Sequence, residues 1–379
     1  MIIGIDGSRA FIKNRTGIEE YSYQVIKNLR DNLEGHQVVL YVRNGQQFTA
    51  NSLQLPKNWK VKVIKWPRFW TQAGLSLEMF LHPVDVLFIP AHTVPCIHSK
   101  NTIVTIHGLE YEFCPDAYSF LERLYMRCSI KNSCKWARTI ISVSRNTKAD
   151  LIKLYNIKED KIRIIYEGYD RNFQFPISNL QSNSNEQISN DNKESISHKL
   201  KAKSYLLFIG RIEERKNVAN IVNTFEILKE QYKIPHKLIL AGKPGFGYEK
   251  IKDRIANVNC RKDIVELGFV SEEEKWNLLK NADVFIFPTL YEGFGIPILE
   301  AQSVGVPVVA SKNSSIPEVV NDSALLVDSN NAEEIADAVY KIISDDEYKK
   351  DLIQKGLENV KRFSWEKCVR EIENILVNF

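Results

Sequence analysis

Short apolar runs of four to six residues recur along the whole chain, and stretches with helical periodicity lie between many of them. Strands that alternate with helices at this spacing predict parallel β-sheets covered by helices on both faces. The clearest helical stretches are Glu19–Asn32 and Leu121–Ala137. The runs predicted as strands are Ile2–Ile5, Val38–Val42, Val61–Ile64, Val86–Ile89, Ile103–Ile106, Thr139–Val143, Ile162–Ile165, Tyr205–Gly210, Lys237–Gly242, Ile264–Leu267, Val284–Pro288, Val306–Ala310 and Ala324–Val327. The fold class indicated is α/β.

One polar segment divides these strands into two sets. From Ile177 to Lys203 the chain is dominated by Asn, Ser, Gln and Lys, so this segment cannot bury a core. The predicted organisation is a first doubly wound domain over residues 1–175, a polar linker over 176–203, a second doubly wound domain over 204–362 and an amphipathic C-terminal helix over 363–379. Ser364 is the expected N-cap of that helix. Because ligands bind at the carboxyl ends of strands in such sheets, we expect the site in a cleft between the domains.

Composition narrows the class of protein. No apolar run is long enough to span a bilayer, and the opening run Met1–Asp6 reaches a charge too early for a signal peptide. The six cysteines show neither a Cys-x-x-Cys pair nor zinc-site spacing, as expected of reduced thiols in a cytoplasmic protein. Residues 1–172 carry a net charge of +8 and the remainder −4. The basic first half either faces an acidic partner or is simply a solvated surface. Without a nucleic-acid-binding signature, no nucleic-acid partner is expected.

The most specific motif is Glu292-Gly-Phe-Gly-Ile-Pro-Ile-Leu-Glu300, which follows an apolar strand and precedes a helical stretch. Gly293 and Gly295 allow the backbone to bend closely around a ligand. Pro297 suits the first helical turn, where its missing N–H is not needed. The motif therefore predicts a strand, a tight loop and the start of a helix.

The groups in this loop suit an anionic, hydroxyl-rich ligand. The free N–H groups of Phe294, Gly295 and Ile296 would point out of a helix N-terminus, which is an anion site. Glu292 is expected in the loop and Glu300 in the first helical turn, so one carboxylate can reach a sugar hydroxyl and the other a ribose. The alternative is a purely structural turn in which one glutamate caps the helix.

A second motif supplies positive charge. In Gly210-Arg-Ile-Glu-Glu-Arg-Lys-Asn217, Arg211 and Lys216 follow a strand end, where a pyrophosphate leaving group needs cations. The alternative is an ordinary solvated charge run. Asp-x-Asp, the usual divalent-metal clamp for sugar nucleotides, is absent from the sequence. Cationic side chains and helix N-termini would then carry the leaving-group charge, with neither a metal nor a cofactor expected.

Two weaker motifs lie in the first half of the chain. Gly17, in Thr16-Gly-Ile-Glu19, begins a helical pattern and would allow close approach to phosphate. His107, in Thr105-Ile-His-Gly108, ends an apolar strand. A lone histidine is more often a packing residue than a functional one, and its position at a strand end is what favours function here.

These motifs resemble those of the family 4 retaining glycosyltransferases of the GT-B fold, over nearly the whole chain. The resemblance is carried by Glu292–Glu300 and Gly210–Asn217, with support from Thr105-Ile106-His107, Ile141-Ser-Val-Ser144 and Leu240-Ala-Gly-Lys-Pro-Gly245. It implies two doubly wound Rossmann-like domains with an interdomain cleft, residues 1–175 on the acceptor side and residues 204–362 binding the nucleotide sugar. It also implies a final helix that crosses back onto the first domain. It also implies retention of the anomeric configuration by same-face attack.

The resemblance also assigns roles to individual residues. It implies that the donor diphosphate is bound by Gly17, Arg211 and Lys216, the donor sugar by Phe294, Gly295 and Ile296, and the nucleoside by Val270 and Glu300. The catalytic candidates that it implies are His107 and Glu292, which would orient the sugar and stabilise charge.

Within that family the chain looks most like bacterial enzymes that build polysaccharide or O-antigen chains, many of them mannosyl- or rhamnosyltransferases. The supporting stretches are Arg15–Tyr23, Pro90-Ala-His92 and Thr105–Gly108. Those relatives usually have His-Asp-Leu where this chain has His107-Gly108-Leu109, a departure that bears on acceptor choice. A donor similar to GDP-mannose and a saccharide or lipid-linked saccharide acceptor are expected. The rival functions are a GT-B sugar-nucleotide epimerase or hydrolase, and a non-catalytic glycan- or nucleotide-binding protein.

The segment Trp59–Trp70 has two interpretations. Its basic residues Lys60, Lys62, Lys65 and Arg68 alternate with apolar ones that include Trp66 and Phe69. Aromatic and basic residues together favour peripheral contact with an anionic membrane, at the inner face if the protein is cytoplasmic. The alternation of Val61 and Val63 with lysines is also that of an ordinary half-exposed strand.

Overall fold

The structure is a computed structural model that describes residues 1–12, 15–46, 49–50, 52–169 and 204–378. Its first sheet has seven strands: β1 (Ile2–Asp6), β2 (Gln37–Arg43), β3 (Trp59–Ile64), β4 (Val86–Ile89), β5 (Asn101–Ile106), β6 (Thr139–Ser142) and β7 (Ile162–Ile164). The order across this sheet is β3-β2-β1-β4-β5-β6-β7, with neighbouring strands parallel. The direction of winding therefore reverses between β1 and β4.

The second sheet repeats this arrangement with six strands: β8 (Tyr205–Ile209), β9 (Lys237–Ala241), β10 (Ile264–Gly268), β11 (Val284–Phe287), β12 (Val308–Ser311) and β13 (Leu325–Val327). Its order is β10-β9-β8-β11-β12-β13, again parallel, and the winding reverses between β8 and β11. Every residue of β4 and of β11 is buried, as expected of central strands in a sheet covered on both faces.

Helices cover both sheets. The first domain contains α1 (Gly17–Leu29), α2 (Ser76–Leu81), α3 (Glu110–Phe113), α4 (Phe120–Trp136) and α5 (Arg145–Tyr155), with a π-helical turn at Trp70–Leu75. The second sheet is followed or flanked by α6 (Val218–Glu230), α7 (Tyr248–Ala256), α8 (Glu272–Lys280), α9 (Ile296–Ser303), α10 (Ile316–Val320), α11 (Ala332–Ser344), α12 (Asp346–Asn359) and α13 (Trp365–Val377).

The last helix, α13, packs on the first domain. Its apolar residues Trp365, Val369 and Ile372 share a core with residues of α1 and of the first sheet. Gly168 makes this approach possible, because a Cβ there would lie 2.3 Å from the backbone nitrogen of Trp365. The chain thus links the two domains at its C-terminal end. Ser364 accepts a hydrogen bond from the N–H of Lys367 at 3.1 Å, which confirms it as the N-cap.

The α/β fold class and all thirteen predicted strands are confirmed, with end points that differ by a few residues. Two local predictions are wrong. The first predicted helix ends at Leu29, ahead of the predicted Asn32, because the chain turns after Arg30. Glu300 is the fifth residue of α9 and lies in its second turn. The predicted linker over 176–203 lies outside the described residues.

Candidate functional site

The two most specific motifs follow neighbouring strands. Gly210–Asn217 follows β8 and Glu292–Glu300 follows β11, and the second sheet reverses its winding between these strands. Ligands of open α/β sheets bind at this kind of reversal, at the carboxyl ends of the strands. The backbone N–H of Leu290 donates to the carbonyl oxygen of Arg215 at 3.0 Å, so the two loops are tied together.

The loop before α9 is shaped by its glycines and by two serines. Gly295 has a φ of +117°, which a residue with a side chain rarely adopts. The hydroxyl of Ser315 donates to the carbonyl oxygens of Glu292 and Phe294, both at 2.9 Å. The N–H of Glu292 donates to Oγ of Ser314 at 3.0 Å. These bonds fix the path of the loop, and the serines that make them were not predicted from the sequence.

The loop also presents backbone N–H groups that can donate to a ligand. Among the described residues, no acceptor pairs with the backbone N–H groups of Phe294, Gly295 or Ile296. Pro297 follows them within the first turn of α9, as predicted. The N-terminus of α9 therefore offers N–H groups and the positive end of a helix dipole to an anion. The side chain of Phe294 does not take part, because it is buried against Tyr166 and Phe363.

A charge cluster stands beside this loop. Lys216 and Glu292, two residues predicted for the site, form an ion pair with each other. Arg215 contributes a second cation, with its Nη1 at 3.7 Å from Glu292 and its Nη2 at 2.9 Å from Glu213. Burial lowers the pKa of Lys216, and the Glu292 carboxylate offsets part of that effect. For Arg215, burial acts to lower the pKa, but the carboxylates of Glu292, Glu110 and Glu213 together raise it.

Arg211 occupies a different environment from Lys216. It is exposed at the end of β8 and forms no ion pair with any described residue. Arg215 takes a more enclosed position, with 18% of its side chain exposed. The short 3₁₀ turn Glu214–Lys216 directs it towards the loop after β11, where Nη1 donates to the Tyr291 carbonyl at 3.1 Å. The sequence analysis missed Arg215 as a site residue. It favoured Arg211 because Arg211 directly follows a glycine at the end of a strand.

His107 is held rigidly at the end of β5. Its Nδ1 lies 3.0 Å from Oε1 of Glu167, and its Nε2 lies 2.9 Å from the carbonyl oxygen of Pro90. Tyr21 contacts the ring edge-to-face, with centroids 4.5 Å apart. The imidazole orientation is therefore set by three residues of the first domain.

The loop at Gly293 meets His107 across the cleft. A Cβ on Gly293 would lie 1.5 Å from the carbonyl oxygen of His107, so only glycine allows this contact. Gly108 lies on the same contact: a Cβ there would be 3.4 Å from the Cα of Gly293 and 3.3 Å from the ring of Tyr291. The backbone of His107 is thus in contact with the loop that carries Glu292.

Further contacts hold the domains against each other. The hydroxyl of Tyr291 donates to Oδ2 of Asp150 at 2.7 Å and accepts from the N–H of Leu109 at 3.3 Å. The Glu318 carboxylate accepts the N–H groups of Arg145 and Asn146, both at 2.9 Å, at the N-terminus of α5. A carboxylate from one domain therefore complements the helix dipole of the other.

The remaining predicted residues lie at the edges of this arrangement. Glu300 forms an ion pair with Lys275 at 2.8 Å, and burial raises the pKa of Glu300 against the opposing charge of Lys275. Gly17 is the first residue of α1, and a Cβ there would meet nothing within 4 Å. Val270 follows β10, half-buried at the margin of the second core. Among the described residues, no group of three or more His, Cys, Asp or Glu side chains is arranged to hold a metal.

Both halves of the chain match models of known families. Residues 15–173 match the model described as Glycosyltransferase Family 4, and residues 189–359 match the model described as Glycosyl transferases group 1. The chain is 27% identical to O-antigen chain mannosyltransferase B of Escherichia coli over 378 residues, which cover 95% of each chain. It is 24% identical to O-antigen chain mannosyltransferase RfbU of Salmonella typhimurium over 285 residues, covering 75% of this chain and 71% of that protein.

A solved structure supports the fold. HepE of Anabaena, determined in complex with UDP and glucose, superposes on this chain with a TM-score of 0.73. The sequence identity is 16%, and the superposition covers 100% of both chains. The likeness confirms the GT-B architecture, with two Rossmann-like domains. In the part of the chain that the structure describes, no helix combines the length and the apolar character needed to cross a bilayer.

Proposed function

Because this chain belongs to the glycosyltransferases, with a family 4 domain followed by a group 1 domain in the GT-B fold, we propose that it transfers a hexose from a nucleoside-diphosphate sugar to a saccharide or lipid-linked saccharide acceptor. The reaction would extend a cell-surface polysaccharide, with GDP-mannose as the favoured donor. The observation that carries the proposal is the row of N–H groups at Phe294–Ile296, which have no acceptor among the described residues, beside the cations Arg215 and Lys216.

These groups suit a diphosphate leaving group. Lys216 supplies a compact charge and Arg215 a planar fork, both at the switch point of the second sheet. Positioned donors and cations stabilise the charge that develops on the departing phosphate. We propose that Arg211, which is exposed in the described structure, joins them when the donor is bound. Under this proposal the leaving group is neutralised without a metal ion.

We propose that transfer proceeds with retention of configuration. In same-face attack the leaving phosphate takes the proton of the acceptor hydroxyl, so no side chain need act as a base. His107 and Glu292 lie on the two sides of the same backbone contact, where they can orient the donor sugar. Gly17 leaves open space at the start of α1 for the phosphates, and Val270 and Glu300 are proposed to contact the nucleoside.

The donor can be identified by ligand-dependent stabilisation. The full chain would be screened by thermal shift with GDP-, UDP-, dTDP- and ADP-sugars, since a ligand that binds only the folded state raises the melting temperature. GDP-mannose is favoured because both relatives named above are mannosyltransferases. The best donor would then be incubated with saccharide acceptors, and the anomeric configuration of the product read by NMR. An inverted product would contradict retention.

The same assay separates the proposed function from its rivals. Donor consumption that does not depend on an acceptor would indicate an epimerase or a hydrolase. Stabilisation by a nucleotide sugar without any turnover would indicate a binding protein. Transfer to an acceptor, followed as new disaccharide, supports the transferase.

We propose in addition that the first domain contacts an anionic membrane surface. Residues Trp59–Ile64 form β3, an ordinary strand with exposed lysines, so the proposal is narrowed to Lys65–Phe69. There Trp66 is 42% exposed and Phe69 76% exposed, beside Lys65 and Arg68. Flotation with anionic vesicles should be lost in a Trp66→Ala, Phe69→Ala variant and kept in Phe246→Ala, an exposed aromatic of the second domain. Equal binding to neutral and anionic vesicles would contradict the proposed contact with an anionic membrane.

A further inference from the structure

The short helix α3 (Glu110–Phe113) of the first domain lies against the loop that follows β11 in the second domain. The ring of Phe113 stacks on that of Tyr291, with centroids 4.8 Å apart and an interplanar angle of 11°. The backbone N–H of Leu109, just before the helix, donates to the hydroxyl of Tyr291 at 3.3 Å. Both ends of α3 are therefore fixed against a loop that belongs to the proposed diphosphate site.

The side chain of Glu110 is directed towards the same loop. Its Oε2 lies 3.0 Å from the position that a Cβ on Gly108 would take. That position is in turn 3.3 Å from the ring of Tyr291 and 3.4 Å from the Cα of Gly293. No described residue forms an ion pair or a hydrogen bond with the Glu110 carboxylate. The first domain thus places a negative charge without a direct partner at its contact with the second.

Arg215 approaches this loop from the second domain. Its Nη1 donates to the carbonyl oxygen of Tyr291 at 3.1 Å and lies 3.7 Å from Glu292. Burial acts to lower the pKa of Arg215, and the carboxylates of Glu292 and Glu110 are the two strongest of the groups that raise it. Glu110 and Arg215 do not form an ion pair, so their interaction acts over a longer distance. An anion bound at Arg215 would therefore experience the field of Glu110 as well.

The donor and the product of the proposed reaction differ in charge at this place. During transfer the anomeric bond of the donor breaks, and its electron pair stays on the terminal phosphate oxygen. That oxygen takes the proton of the acceptor hydroxyl and then loses it to solvent, because the second ionisation of a terminal phosphate lies at about pH 6. The nucleoside diphosphate that remains thus carries one more negative charge than the nucleotide sugar.

We propose that Glu110 promotes product release, because its carboxylate repels the nucleoside diphosphate more strongly than it repels the donor. The inference rests on the proposed transferase function and adds to it a residue that acts on the diphosphate through its charge. Glu110 belongs to the first domain and the diphosphate-binding cations to the second, so the repulsion is greatest while the domains are in contact. It therefore favours separation of the domains after transfer.

The proposal predicts that removing the charge tightens binding. Glu110→Gln keeps the size of the side chain, and we expect it to bind GDP about 3- to 10-fold more tightly than wild type. GDP-mannose should gain less affinity, since it lacks the additional charge. Glu110→Asp retains the carboxylate and should bind both ligands as wild type does. The affinities are measured by isothermal titration calorimetry at about pH 8, where the terminal phosphate of GDP is ionised.

Asp116→Asn is the matched control. It removes the same charge from an exposed position in the turn Pro115–Ala117, close to α3 in the sequence. Its affinities for GDP and GDP-mannose should stay close to those of wild type. A second control is ionic strength: from about 0.1 M to about 1 M salt the Debye length falls from about 10 Å to about 3 Å. The ratio of the GDP Kd of wild type to that of Glu110→Gln should then fall towards one.

The measurements distinguish the proposal from a structural role for Glu110. A residue that only supports the fold would weaken ligand binding when replaced and would lower the melting temperature. Equal or weaker GDP binding by Glu110→Gln overturns the inference. Equal tightening of GDP and GDP-mannose also overturns it, because the charge would then not separate product from donor. A loss of GDP-mannose binding alone would identify Glu110 as a ligand of the sugar, which contradicts the proposal.

Two further outcomes separate the inference from the proposed function. If Glu110→Gln tightens GDP more than GDP-mannose, but no donor supports transfer to any acceptor, the charge effect of Glu110 stands and the transferase function is wrong. If wild type binds none of GDP, UDP, dTDP and ADP, the diphosphate site is wrong, and the inference is overturned with it.

Discussion

Replacing Gly293 by alanine should slow turnover sharply while leaving both domains folded. The new Cβ would start 1.5 Å from the carbonyl oxygen of His107, and an ordinary contact begins near 3.4 Å, so the two backbones must separate by about 1.9 Å. Neither partner is a flexible side chain, so the separation can come only from opening the cleft or displacing the loop. A misplacement of about 1 Å at a reaction centre can lower the rate roughly 100-fold, which is about 2.7 kcal/mol of activation free energy.

The contact between Gly293 and His107 lies between the two domains, so its loss should leave each domain folded. Gly293 does not have a φ in the left-handed region, so alanine is compatible with its backbone, and neither core loses a side chain. We therefore expect kcat to fall by at least about 100-fold with little change in melting temperature. Gly356→Ala is the matched substitution in the same chain: it lies in α12, and its Cβ would meet the side chain of Gln302 at 3.2 Å, far from the cleft contact. It should retain wild-type kcat.

Three measurements decide the result: kcat with the best donor and acceptor, the melting temperature, and the radius of gyration from small-angle scattering. A Gly293→Ala enzyme with wild-type kcat would show that the closed contact is not needed for chemistry. A large loss of melting temperature would show that the glycine supports folding, and the argument from the cleft would then be refuted.

Three further predictions follow from the charge cluster and its neighbours. Lys216→Ala and Arg211→Ala should each lose on the order of 2–3 kcal/mol of transition-state stabilisation while remaining folded, and normal kcat/KM in both would contradict the diphosphate assignment. Glu292→Gln should mainly lower kcat, because its contact with the sugar tightens as charge develops, whereas Glu300→Gln should mainly raise the donor KM. If both glutamate variants show one kinetic pattern, the division of roles is wrong. Activity should survive excess EDTA, and complete loss restored by manganese or magnesium would disprove metal independence.

Much of the fold could be read directly from the sequence because its signals are local. Short, mostly apolar runs of four to six residues indicate parallel strands wherever they lie, and each of the thirteen predicted runs contains a strand. The residues that mark the start of a helix are local signals too. Ser364 caps α13 and Pro297 lies in the first turn of α9, and both positions depend on neighbours within a few residues. The errors, such as the end of α1 and the turn that contains Glu300, concern element boundaries, where competing local preferences are nearly balanced.

The site could be predicted only in part, because its geometry joins residues that are distant in sequence. The motifs around Lys216 and Glu292 were recognisable separately, but their ion pair depends on β8 and β11 being neighbours in the sheet. That Arg215, and not Arg211, lies beside Glu292 depends on the direction in which one short turn leaves the sheet.

The sequence by itself determined which segments are strands and helices, that they form parallel sheets, and which motifs follow which strands. The tertiary structure alone decided the contact of Gly293 with His107 and the position of the Glu318 carboxylate at the start of α5. The physical reason for this difference is that secondary structure depends on the hydrogen bonding and burial of residues within one segment. Contacts between two domains depend instead on how separately formed surfaces pack, and no local pattern encodes that packing.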